Sequence, residues 1–149
     1  MLSYYNISIP LNTNQMKKNL ALLMVMALTV LFLPLAEAKK QKFPVSTVIP
    51  AAVSTINTSK DKNGNQLIEF KAQNLAAPDR LQPARNIYVL WAETSEAGVI
   101  NLGAVKVAKN LKASLSTVTP FTPVRVFLTA EDNQKAMVPN GQVVLNTAL

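Results

Sequence analysis

From Val53 to Thr147 the chain is divided into short stretches in which apolar and polar residues alternate, separated by turn-forming residues. This pattern limits the fold more than any other feature. Successive side chains of a strand point to opposite faces, so a period of two gives each stretch one face to bury. No window in this part sustains the 3.6-residue period of an amphipathic helix. Several such strands in about 100 residues predict an all-β fold, an immunoglobulin-like antiparallel sandwich of about seven strands.

The strands can be placed. Val53–Lys60 and Gln66–Asn74 flank Asp61-Lys62-Asn63-Gly64-Asn65, where Asn63-Gly64 suits a tight hairpin turn. In the second of these, Ile68, Phe70 and Ala72 form the apolar face, against Glu69 and Lys71. Asn74–Asn86 is a crossing loop with Pro78 and Pro83, which cannot donate to a ladder. Asn86–Thr94 is apolar on both faces and predicts a central strand, with Val89 and Trp91 on the core side and Tyr88 pointing away. Val99–Val107 follows, and Gly103 within it predicts a bulge or an edge bend. Leu111–Val118 places Leu111, Ala113 and Leu115 on one face. Val124–Ala130 is a second central strand, Glu131–Asn140 a polar loop, and Gln142–Thr147 the end strand. The expected core is Ile68, Phe70, Val89, Trp91, Leu115, Val126 and Leu128.

The N-terminal part has a different character. Met16-Lys17-Lys18-Asn19 precedes a charge-free run, Leu20–Leu35, then Ala36-Glu37-Ala38 and Lys39. A basic head, an apolar core and small residues two apart describe a secretory signal peptide. The expected cleavage lies between Ala38 and Lys39, with Ala36 and Ala38 filling the small subsites of the peptidase. An uncut membrane anchor is the alternative, but the run is shorter than the roughly 20 residues a spanning helix needs. The expected organisation is 1–15, a start assigned too early; 16–38, the signal peptide and its helix; 39–48, an N-terminal leader; and 49–149, the sandwich. The expected location is the periplasm or the medium of a bacterium, with no stable membrane anchor after cleavage.

Cysteine is absent, so an exported domain of this kind holds together without disulfides, which a core of about 110 residues permits. Histidine is absent too. These two absences remove imidazole- or thiolate-bound zinc, copper and haem, a Ser-His-Asp triad and a cysteine nucleophile. No cofactor and no metal are expected. Carboxylates remain: Asp61, Glu69, Asp79, Glu93, Glu96, Glu131 and Asp132. A pair of them could serve a glycosidase, and Glu131-Asp132-Asn133 could offer oxygens to calcium. Most lie in turns or on exposed strand faces, where a solvated charge is the simpler reading. No catalytic residue is therefore assigned, and the chain is read as a non-enzyme.

The full chain carries a net charge of +7. Lys39, Lys40 and Lys42 cluster, and the remaining lysines look scattered. No basic stripe is interleaved with aromatics, so nucleic acid is not an expected partner. An unknown protein or a cell-envelope polymer is. Tyr88 and Trp91 are the candidate ligand contacts, although a buried Trp91 is the plainer alternative.

The stretch Asn86–Thr147 resembles the extracytoplasmic domain of bacterial anti-sigma factors of the anti-sigma-K type. The resemblance rests on Tyr88-Val89-Leu90-Trp91, Gly98, Asn101-Leu102-Gly103, Val124–Ala130 followed by Glu131, and Pro139-Asn140-Gly141-Gln142-Val143-Val144-Leu145. It implies a sandwich outside the cytoplasm. The sigma-binding helical domain of that family has no counterpart here, so sigma binding does not carry over. The resulting expectation is an exported β-sandwich acting by surface or strand-edge contacts, with Gln142–Thr147 as a candidate edge. The alternative is a module that binds carbohydrate or cell-envelope polymer.

Overall fold

The computed structural model describes Asn14, Lys17, Lys18 and residues 38–149. Asn14, Lys17 and Lys18 are helical and exposed. Leu20–Leu35 and Ala36 lie outside the described residues. One compact unit spans Ala36–Leu149.

That unit is a sandwich of two antiparallel four-stranded sheets. The strands are β1 (Lys39–Lys42), β2 (Val53–Lys60), β3 (Gln66–Gln73), β4 (Ile87–Thr94), β5 (Gly98–Val105), β6 (Ala113–Thr119), β7 (Pro123–Glu131) and β8 (Gln142–Ala148). The first sheet has the order β1-β2-β3-β6, the second β5-β4-β7-β8. The chain therefore crosses between sheets after β3, again after β5, and again after β6.

Seven of these strands coincide with the alternating stretches. The eighth, β1, replaces the predicted leader. Lys39–Lys42 has no alternation of its own. It is held by antiparallel pairing to β2, with Lys40 opposite Asn57 and Lys42 opposite Thr55.

The β2–β3 hairpin turns where Asn63-Gly64 predicts, with Gly64 at φ +83°. Asp61 fixes the turn: its Oδ1 accepts the backbone N–H of Asn63 and of Asn65, each at 2.8 Å. Gly103 is also at positive φ and sits in the predicted bulge. Leu90 pairs with Gly103 and Trp91 with Asn101, which leaves Leu102 as the extra residue.

The main core lies between the sheets. Ile56, Ile68, Phe70, Tyr88, Leu90, Val126 and Leu128 are fully enclosed in it. Phe43 packs edge-on against Phe70 at 5.7 Å between ring centres. The crossing loop after β3 contributes Leu75 and Leu81, both buried. Leu115 is only partly buried against this core. Leu111 is not part of β6 at all; it sits in a turn at φ +58°.

The face of β4 differs from expectation. Tyr88, Leu90 and Ala92 point between the sheets, while Val89 and Trp91 point outward and are nonetheless buried. A second, smaller cluster encloses them, made with Phe127, Ile87 and Ala136. Both faces of β4 are apolar, so alternation separates the sides without saying which one meets the other sheet. The segment 132–141 decides it by folding back over the outer face of the second sheet.

Candidate functional site: a lysine-lined cleft beside the outer face of the first sheet

The outer face of the first sheet is mostly polar, with Val53, Leu67 and Val118 toward its ends. Directly opposed residues of an antiparallel pair share a face. The register therefore lays Lys42, Thr55, Lys71 and Ser114 in one transverse row, and Lys40, Asn57, Glu69 and Ser116 in the next. Ile56, Phe70 and Ala72 alternate with these and fill the core. Glu69 is the one carboxylate among the outward strand residues, and it accepts a hydrogen bond from Asn57 Nδ2 at 3.0 Å.

At one end of this face an open cleft of about 430 Å³ is lined by Lys71, Gln73, Lys106, Asn110, Lys112 and Ser114, with alanines between them. Lys71 also lines a second depression toward β1, shared with Lys40, Thr55, Asn57 and Glu69. The cleft contains no carboxylate. None of its three lysines is paired with an acid; the ion pairs among the described residues are Arg85–Asp132 and Arg125–Glu93. Lys106 borders a neighbouring cleft as well, where Asp79 and Arg85 stand.

A tight turn builds the far wall. Ala108 N–H donates to Lys112 O at 2.8 Å, Leu111 N–H to Ala108 O at 2.9 Å, and Leu75 N–H to Leu111 O at 3.0 Å. Asn110 Oδ1 caps the turn by accepting Lys112 N–H at 3.2 Å. The price is Leu111 in the left-handed region, which a side chain with a Cβ enters at a cost of about 1 kcal/mol or more.

On the outer face of the second sheet, segment 132–141 covers Trp91. Trp91 Nε1–H donates to Thr129 Oγ1 at 2.8 Å, and Thr129 Oγ1–H donates to Glu131 Oε1 at 2.7 Å. The same carboxylate oxygen accepts the backbone N–H of Asn140 and of Gly141, at 3.1 and 3.0 Å. Asn101 Nδ2 donates to the carbonyls of Gln134 and Ala136. Segment 132–141 is thus latched over Trp91 from both ends. Trp91 stacks with Phe127, and the Arg125 guanidinium lies 4.7 Å from the Phe127 ring centre.

The residues expected to touch a ligand do not face solvent. Tyr88 and Trp91 are both 0% exposed. Trp91 is closed in by the latch. Tyr88 lies in the main core, its hydroxyl donating to Ala76 O at 2.9 Å. Burial, helped by the negative charge of Asp79, pushes the Tyr88 phenol up to about 12. Neither ring offers a platform in this fold.

The carboxylates are dispersed. Asp61 holds its own hairpin. Slight desolvation works to raise its pKa, and hydrogen bonds from Asn65 and Asn63 outweigh this, so the net shift is downward. Glu93 binds Arg125 and Asp132 binds Arg85. Glu131, expected in a polar loop, is instead the last residue of β7 and only 4% exposed. Its Oε1 is taken up by the Thr129 hydroxyl and the backbone N–H groups of Asn140 and Gly141. Among the described residues no group of three or more His, Cys, Asp or Glu gathers.

Of the predicted cleavage residues, Ala36 lies outside the described part, Ala38 is exposed, and Lys39 is the first residue of β1. Among the described residues no helix is long and apolar enough to cross a membrane. The three cleft lysines escape a linear reading because Lys71, Lys106 and Lys112 come from β3, from beyond β5 and from the turn before β6. The Val107–Ala113 bridge brings Lys106 and Lys112 together, and the pairing of β3 with β6 adds Lys71.

No protein-family model matches this sequence, and neither the curated proteins nor the solved structures contain a match to it.

Proposed function

We propose that this chain is an exported, non-enzymatic β-sandwich of the bacterial cell envelope that works by binding through its surface. The observation that carries this reading is the basic cleft, without a direct ion pair, beside strand rows that carry hydroxyls and amides. Export is supported by the basic head, apolar run and Ala36-Glu37-Ala38, and by an ordered strand that begins at Lys39. The non-enzymatic reading is supported by the absence of His and Cys and by the separate engagement of Asp61, Glu69, Glu93, Glu131 and Asp132.

The immunoglobulin-like label is supported by connectivity. β3 pairs with β6 and β4 with β7, so each sheet is stitched from non-consecutive strands in the Greek-key manner. The likeness to anti-sigma-K extracytoplasmic domains is proposed at the level of fold alone. The residues that carry it, among them Trp91, Asn101, Gly103, Glu131, Asn140 and Gly141, make the bulge and the latch rather than a binding surface.

The test is retention on an envelope fraction of the producing cell, washed at rising salt. Retention that falls with salt and with Lys71→Gln/Lys112→Gln supports the reading. Recovery of the protein entirely in the first low-salt wash would sink it.

A second reading is strand addition at β8. It is favoured by the edge position of that strand and by Val143, which is half-exposed on it. Cysteine pairs placed along β8 and a captured strand would report it by cross-linking.

A further inference from the structure

We propose that the cleft and the row leading to it bind an anionic polysaccharide. This rests on the surface-binding reading above and names its ligand.

The argument begins with charge. Lys71, Lys106 and Lys112 share one cleft whose lining has no carboxylate, and none of them forms a direct ion pair among the described residues; Glu69 lies in the adjoining depression beside Lys71, and Asp79 in the adjoining cleft beside Lys106. Bringing three ammonium groups together without a counter-charge is repulsive, and an anion placed among them relieves that repulsion. The turn that carries Lys112 is held against a strained Leu111 backbone. Non-glycine residues in that region gather at binding sites, where the strain is part of the shape being held.

Shape and side-chain chemistry then select the ligand class. Strands in a sheet lie about 4.8 Å apart, so Lys42 and Lys71 in one row stand roughly 10 Å from each other. Thr55 lies between them and Ser114 beyond. Cations alternating with hydroxyls match a polymer that alternates acidic groups with sugar hydroxyls. The row runs across the strands beside the open cleft, which suits a chain lying across them. The cations are all lysines. The arginines, which grip phosphate bidentately, lie elsewhere at Arg80, Arg85 and Arg125. No aromatic ring is present among the outward strand residues or in the cleft lining, so nothing stacks on nucleobases.

The test uses protein purified from cells expressing the full chain, titrated with polygalacturonate, heparin and neutral dextran at low salt. Binding to polygalacturonate identifies carboxylate as the recognised group, and binding to heparin identifies sulfate. The double variant Lys71→Gln/Lys112→Gln removes two exposed ion pairs and weakens binding about tenfold. The double variant Lys62→Gln/Lys135→Gln removes the same charge elsewhere and changes binding less than about twofold. Equal thermal midpoints confirm that both variants are folded. Dextran stays unbound, and added salt weakens the anionic complexes.

Equal losses in the two double variants would overturn the site, since net charge alone would then explain the binding. Tighter binding to phosphatidylglycerol vesicles or to a single-stranded oligonucleotide would overturn the ligand class. So would a lack of binding to both anionic glycans. In that last case, envelope retention that still responds to Lys71→Gln/Lys112→Gln leaves the surface-binding reading standing and removes only the glycan.

Discussion

At Gly141 a side chain has nowhere to go. A Cβ built there would lie 1.7 Å from the carbonyl oxygen of Ala130 and 2.7 Å from its carbon. Both are backbone atoms, so the neighbour cannot step aside. Gly141→Ala forces the latch off β7 and is expected to cost more than about 3 kcal/mol, above the usual penalty of overpacking. Urea unfolding measures it. Phe70 is enclosed in the main core, and Phe70→Ala is expected to cost about 3–5 kcal/mol by the same measurement. Tyr88 allows a third check, because it is the only tyrosine in Lys39–Leu149. Its phenol ionises at about 12 in the fold and near 10 when unfolded. The folded state holds the proton more tightly, so this contribution to stability is complete below pH 10 and is lost as the pH rises toward 12. Ultraviolet titration of folded protein should place the phenolate midpoint about two units above that of the urea-unfolded chain.

The latch over Trp91 is the element whose removal is easiest to see. Glu131→Ala leaves the Thr129 hydroxyl and the N–H groups of Asn140 and Gly141 without their acceptor. Each part-buried group left unpaired costs about 1–3 kcal/mol. Segment 132–141 should lift, and emission from Trp91, the one tryptophan, should shift to the red. An unshifted spectrum would show that Asn101 holds the segment alone. This element also marks how far the sequence can be read. β2 to β8 are legible because each has its own alternation and its own turn residues. β1 is not, since Lys-Lys-Gln-Lys gains strand structure only from the open edge of β2. The burial of Trp91 is legible, but its place outside the main core is not. That depends on the polar segment 132–141, directly after β7, folding back over it. The basic cleft is the least legible feature, because sequence separation hides what sheet order brings together.

At the scale of the molecule, the sandwich begins where the export signal is expected to end. Protein recovered outside the cytoplasm should start at Lys39 by N-terminal sequencing; a start upstream of Ala36 would contradict cleavage there. Each border strand also has a distinct character. β1 carries Lys39, Lys40 and Lys42, a charged rim that disfavours pairing with another chain. β5 is bent by the bulge at Leu102 and Gly103. β8 has an irregularity of its own: Leu128 faces Leu145 while Thr129 faces Val143, so Val144 is the residue out of step. A regular strand laid along β8 would keep its bonding only as far as Val144 and lose it beyond. Two copies of this protein meeting at that rim would each bring the same interruption. Any strand captured there, as in the second reading above, must therefore be short, its reach limited to one side of Val144.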